Sequence, residues 1–493
     1  MIDKKKLRID LFKHIDGIAL TAPLSCIFKT NNKILNLLKH SNEFIINNNK
    51  LKSINGDYLN VTLRLFESQG WLKRKINQEN IIKIKTTKTG LEIFNHTNLY
   101  NTFFELFPYL IKLNFNDSNS HKKLNECLNK FDELKKKKNN KTILKHIEGL
   151  ILGPTLVALS MNGDIKIKSN NELIFNHSIN NENKKCILRL FQIFELAIDQ
   201  QLNEKGLFFY KRSAAYGVTV SYMPLFAQIN KLLFGDTSNI LVRDKNGNEL
   251  HVNRKMNVWG SGGAHKLYFK KIDEIIVEIF NKPIETQPKG IADMGCGDGT
   301  LLIHLYKLIK EKTIRGQNLK DYPLYVIGAD FNDEALEVTS QNLITENIDY
   351  VLVKADIGNP NDFNAELEKK HNIKLNDLLS VRSFLDHNRI FEMPNLDNFD
   401  LNKIKTNSTA AFCCNGTNII FEPIVFKVGL IEHFLKWKPF INKYGLILLE
   451  LHTISPSICK DNIGKTLATA YDATHGFSNQ YIIEYEDFID SAK

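Results

Sequence analysis

The C-terminal half of this 493-residue chain predicts a Rossmann-like, doubly wound α/β domain, and three observations carry that prediction. The segment Gly290–Thr300 is a short apolar run that ends in Asp293 and turns on Gly295, Gly297 and Gly299. It then enters a helix with Leu301, Leu302, Leu305, Leu308 and Ile309 on one face. Leu324–Asp330 is a second apolar strand that ends in an acid. Tyr350–Ala355 is a third, which delivers Asp356 and Ile357. Three strand-to-acid units in succession are much harder to obtain by chance than one glycine motif alone.

Residues 1–98 read as a small helical unit. Leu11, Ile15, Ile18 and Ala19 make one apolar stripe, Ile34, Leu37 and Leu38 begin a second, and Asp57 is expected to cap a third helix carrying Leu59, Leu63 and Phe66. Trp71–Ile76 and Ile81–Thr86 alternate like a hairpin, and Thr89–Phe94 resembles the last helix of a winged-helix module. Arg64 is the only basic residue of the helix that would read DNA, which favours packing over DNA recognition. Residues 99–255, with the apolar segment Cys186–Leu196 and the small-residue segment Ser213–Ala227, are expected to form a helical lid or linker.

The remaining segment, 256–493, is the predicted catalytic domain. It opens on the glycine-rich stretch Asn257–His265, where Gly260 and Gly262 are expected to let backbone approach a ligand or to act as a hinge. Asn332 opens a helix whose apolar face is Ala335, Leu336, Thr339 and Leu343. Asp377–Arg389 takes the place of a fourth strand and Gly445–His452 that of a fifth. Ligands bind at the carboxyl ends of such strands. The polar residues Arg382, Ser383, Asp386, His387 and Arg389, then His452, and then His475 and Gln480 in a predicted polar loop, are therefore directed at one rim. Two roles compete for them: general base for an acidic C–H, and ligand of a divalent ion that stabilises the resulting enolate.

The Asp293–Gly299 pattern resembles the first motif of class I S-adenosylmethionine-dependent methyltransferases. Dinucleotide oxidoreductases use a related glycine motif, yet they lack the third Asp356–Ile357 unit. The resemblance implies cofactor contacts from Asp293, Gly295, Gly297, Asp298 and Asn332, from Asp330 at the ribose, and from Asp356 and Ile357 at the adenine. The strings Asn257–His265, Ser380–Arg389, Glu450–Ile454 and Asp472–Gln480 resemble, more narrowly, methyltransferase domains of bacterial polyketide synthases of the apratoxin loading-module type. That likeness covers roughly 200–493. It implies carbon methylation of a malonyl- or β-ketoacyl-type thioester on the phosphopantetheine of an acyl carrier protein. It also implies iron(II) or manganese(II) held by His452 and Gln480, with His475 and Asp386 as further catalytic candidates.

Composition narrows the alternatives. No stretch of about 20 uncharged apolar residues exists and no signal-peptide core follows the start, so the expectation is a cytoplasmic protein with no membrane partner. The seven cysteines form no CxxC pair and read as reduced, buried thiols. The net charge of +10 sits largely in tracts such as Lys135–Lys141, which argues against nucleic acid and suits an anionic carrier protein equally well. A winged-helix unit before a Rossmann-like domain also fits a homodimeric O- or N-methyltransferase of small molecules. A cofactor-sensing DNA regulator and a non-catalytic domain complete the alternatives. The chain stops after Asp487–Lys493, where this fold expects a helix and two more strands, so the expectation is either a domain that lacks its last strands or strands supplied elsewhere.

Overall fold

The computed structural model describes residues 3–29, 33–40, 44–46, 54–76, 81–137, 140–244, 249–414, 417 and 419–493. The tip of the predicted hairpin (77–80) and residues 138–139 of the lysine tract lie outside the described residues. Two compact units emerge. The first comprises 1–263, 407–423 and 453–484; the second comprises 264–406, 424–452 and 485–493.

The first unit is built on two long helices, Lys4–Lys29 and Lys141–Met161. Glycine permits their crossing: a Cβ on Gly17 would lie 2.3 Å from His146 Cα, and one on Gly149 would lie 2.3 Å from His14 Cα. Both helices are long and apolar enough to cross a membrane, yet 83% of each apolar window is buried inside the protein, as core helices require. Around them, strands β1 (Phe44–Ile46), β2 (Leu72–Ile76) and β3 (Ile82–Thr86) form an antiparallel sheet in the order β1-β3-β2. The helix Gly56–Ser68 that leads into β2 is buried along nearly its whole length, and it begins one residue before Asp57, with Asn55 at the cap position.

Arg64 on that helix is fully buried. Its guanidinium donates to Asp472 (2.8 Å), to Glu484 (2.6 Å) and to the carbonyl of Ile454 (3.0 Å). A buried cation needs such partners. They lie in the segment 453–484, which explains why that segment, assigned by sequence to the catalytic domain, joins the first unit. The one basic residue of the DNA-reading candidate is thereby turned inward.

The second unit contains a five-stranded parallel sheet. Strands β4 (Gly290–Met294), β5 (Tyr325–Asp330), β6 (Val351–Lys354), β7 (Leu378–Ser383) and β8 (Leu446–Leu449) lie in the order β6-β5-β4-β7-β8. All neighbours are parallel, with Asp293 opposite Gly328 on one side and Val381 on the other. β4 is buried at every position, as a central strand covered on both faces should be. One face packs with Ile276, Leu302, Leu305 and Ile309, and the other with Ile327, Leu367, Leu375 and Trp437. The chain order reverses between β4 and β7, which opens the crevice where ligands of this architecture bind. All seven cysteines are buried, and none forms a disulfide among the described residues.

Candidate active site

The turn after β4 is set by three left-handed glycines, Gly295 (φ +79°), Gly297 (φ +57°) and Gly299 (φ +77°). Gly295 and Cys296 both donate their amides to the carbonyl of Ala329, at 2.7 and 3.0 Å, which folds the turn back onto β5. A Cβ on Gly295 would meet Leu385 Cδ2 at 2.7 Å, whereas one on Gly297 would meet nothing within 4 Å. Gly297 therefore faces open space, as a backbone cradle for a ligand must.

Asp330 is held ready beside it. Its carboxylate accepts from the amides of Gly297 (3.1 Å) and Asn332 (2.9 Å), and Asn332 in turn caps the helix Asp333–Thr345. Phe331, between them, is 70% exposed and stands beside the glycine turn. Asp298 accepts from Thr300 at the next helix start. The Asp356 carboxylate accepts from Gly358 (2.7 Å), and the Ile357 carbonyl is fixed by the Trp437 indole (2.9 Å). Asp293 is the exception. It is fully buried, and among the described residues neither carboxyl oxygen has a hydrogen-bond partner. Burial, reinforced by Asp330 and Asp298, pushes its pKa well above the carboxylate range. An orphaned carboxyl under an open glycine cradle fits a cationic ligand group, so the residues present suit adenosylmethionine.

The carboxyl ends of β7 and β8 hold the remaining candidates of this unit. Asp386 is buried in a pair with Arg382 (3.2 Å), whose guanidinium stacks over Trp437 at 4.6 Å, and accepts from His433 Nε2 (3.2 Å). Burial works against its charge, yet Arg382 and His433 hold its pKa down to about 2. Burial drives His433 down to about 4, so the neutral ring is the donor. Asp386 thus braces the loop after β7. Next to it, His387 Nδ1 meets Glu450 Oε1 at 2.6 Å, a histidine–carboxylate pair that joins the ends of β7 and β8. The ring of His452 lies 4.2 Å from that of Phe488, and burial lowers its pKa. Phe384, at the end of β7, has φ +56°, a strained conformation for a bulky residue of the kind that collects at active sites.

Four predicted site residues fall in the first unit. The stretch expected to be a glycine-rich loop is part of the helix Arg254–Phe269. There Gly260 serves helix packing, since its Cβ would lie 2.7 Å from Val218 N, while Gly262 has open space. The predicted polar loop is largely the helix Ala468–Gly476. His475 shares Nδ1 with the Thr474 hydroxyl (2.8 Å) and the Tyr471 carbonyl (3.0 Å). Gln480 donates to Tyr222 Oη (2.9 Å) and Ser478 Oγ (2.8 Å). Among the described residues, no three His, Cys, Asp or Glu side chains converge as a metal-binding group.

The sequence reading missed Phe331, Phe384 and the partnership of His387 with Glu450. Phe331 carried a signal, an aromatic directly after Asp330 at the end of β5. The other two depend on long-range geometry.

Comparison with protein families agrees with this geometry. Residues 249–493 match the AprA MT2-like domain, 148–236 the AprA winged helix domain and 7–74 the AprA N-terminal domain. The winged-helix match therefore lies downstream of 1–98, where the sequence reading places that unit. No curated protein matches the chain. With three matched domains in order and a five-stranded parallel sheet ending in the glycine cradle, the chain belongs to the AprA-type methyltransferase-like proteins.

Proposed function

We propose that this methyltransferase uses S-adenosylmethionine to methylate the α-carbon of a malonyl- or β-ketoacyl-type thioester, carried by an acyl carrier protein in polyketide assembly. The observation that carries the reading is His452. Burial keeps this imidazole neutral, and it stands at the end of β8, where the neighbouring Glu450 and His387 form their pair. Transfer to carbon needs a base that removes an acidic α-proton, and a neutral imidazole is suited to that task at ordinary pH.

Bound adenosylmethionine supplies a methyl group on a sulfonium. The chain provides the rest. Asp330 accepts the ribose hydroxyls, Phe331 and Ile357 offer apolar faces to the adenine, and Asp356 receives its polar edge. Asp293 answers the cationic end. His452 takes the α-proton onto a ring nitrogen, and the charge of Glu450 steadies the imidazolium. The carbanion then displaces the thioether in line, so positioning by the chain governs the rate. Iron(II) or manganese(II) on His452 and Gln480 is the other element of the expectation. His452 lies in the second unit and Gln480 in the first, and no step here is routed through a metal.

The test is intact-mass spectrometry of malonyl-loaded carrier protein after incubation with the chain and adenosylmethionine, with and without chelator, and with His452→Ala. Added methyl mass that His452→Ala abolishes while cofactor binding persists supports the reading. Loss on chelation assigns the enolate to a metal instead. An unmodified carrier despite tight cofactor binding overturns the carrier substrate and points to small-molecule acceptors.

A further inference from the structure

A cavity of about 260 Å³ in the first unit, lined by none of these residues, lies between the helices Ser120–Lys136, Lys141–Met161 and Glu204–Tyr210. Its floor is apolar: Phe131 and Phe194 meet edge to face at 5.0 Å, with Leu144 and Ile193 beside them. Its rim carries lysines. Two have carboxylate partners, Lys145 with Asp10 (3.1 Å) and Glu148 (2.9 Å), and Lys135 with Glu195 (3.4 Å). Glu148 is further committed to His14 at 3.5 Å. Lys141 and Lys205 line the same cavity, and among the described residues neither has a carboxylate within ion-pair distance.

Lys205 is the informative one. Its Nζ donates to the carbonyl of Phe194 at 2.6 Å. An ammonium carries three donors, and burial here works against its charge, lowering its pKa. A partly buried cation at the edge of an aromatic floor, with nearby carboxylates already engaged, is poorly compensated unless an anion joins it.

We infer that this cavity binds a small organic carboxylate with an apolar body, its carboxylate on Lys205 and Lys141 and its body on Phe131, Phe194 and Leu144. Charge complementarity and the apolar floor select that class together: acetate lacks the body and an alcohol lacks the charge.

The experiment is titration calorimetry of the full chain with sodium octanoate, 1-octanol and sodium acetate. Octanoate is expected to bind more tightly than either control. Lys205→Met is expected to weaken octanoate about tenfold, the loss of one charge-assisted contact. Leu144→Trp, which fills the floor, is expected to abolish binding while both variants keep a cooperative thermal transition. No heat from octanoate at millimolar concentration overturns the inference, as does binding equal to that of 1-octanol. So does octanoate binding unchanged in Leu144→Trp, which stands even if Lys205→Met fails to fold.

Discussion

Replacing Asp293 by asparagine tests the reading of the cofactor cradle through a pH slope. The wild-type carboxyl is fully buried, makes no hydrogen bond and lies in the field of Asp330 and Asp298, so its folded pKa stands well above the ordinary 3.8. Over the interval between those two values the folded chain keeps a proton that the unfolded chain has released. Folding takes up that proton, and stability falls as pH rises through the interval. One proton is worth at most about 1.4 kcal/mol per pH unit. Asparagine preserves the shape and does not titrate. Urea denaturation of wild type and Asp293→Asn, from about pH 5 to pH 7, should therefore show a stability difference that grows in favour of the variant at up to this slope. Asp16, also buried and raised to about 7, adds its own slope to both proteins and cancels in the difference. Adenosylmethionine acts in the opposite sense on the wild type, because its cationic end favours the ionised carboxylate, so its affinity should rise with pH over the same interval. A stability difference that stays constant with pH would falsify the account of Asp293 as a proton-bearing orphan.

Three further outcomes are expected. Gly297→Ala costs about 1–2 kcal/mol for its left-handed backbone and places a methyl in the open cradle, so adenosylmethionine binding is lost while the fold persists. Gly295→Ala adds a contact of 2.7 Å with Leu385 and should be the less stable of the two by thermal scan. Arg64→Ala strands Asp472 and Glu484 without their cation and is expected to cost about 3–5 kcal/mol in urea, with random duplex DNA binding unchanged. Lys427, nearly buried, holds the terminal helix Tyr485–Ser491 through Asp487 (3.3 Å) and Asp490 (2.5 Å). Lys427→Met should raise hydrogen exchange in that helix, and unchanged exchange would remove its role as a clamp.

What was legible in the sequence is what repeats locally. Strands β4 to β6 each bring an acid to the same edge because each is a short apolar run with one polar terminus, a pattern visible within ten or so residues. The glycine turn was legible for the same reason, since only glycine suits φ near +57° to +79° three times in five positions. Asn257–His265 misled because glycine in a row reads as a loop, whereas Gly260 is needed where two helices touch. Tyr471–Gln480 misled because its polar residues read as solvated, whereas Asp472 is turned inward to Arg64.

The candidate chemistry divides along the same line. Asp386, singled out by sequence as catalytic, is an acid at the right place along the chain, and one further torsional fact decides what it does. Phe384, at φ +56°, turns the backbone just after β7. Asp386 then lies against Arg382 and His433, and His387, one residue on, meets Glu450. An acid fixed between an arginine and a neutral histidine is poorly placed to accept a proton, since its pKa is held at about 2. The proposed proton acceptor is instead His452, whose imidazole burial keeps neutral. Asp386 and His387, adjacent in the chain, thus have different partners, which no residue-type argument separates, because His433 and Glu450 lie more than 40 positions away.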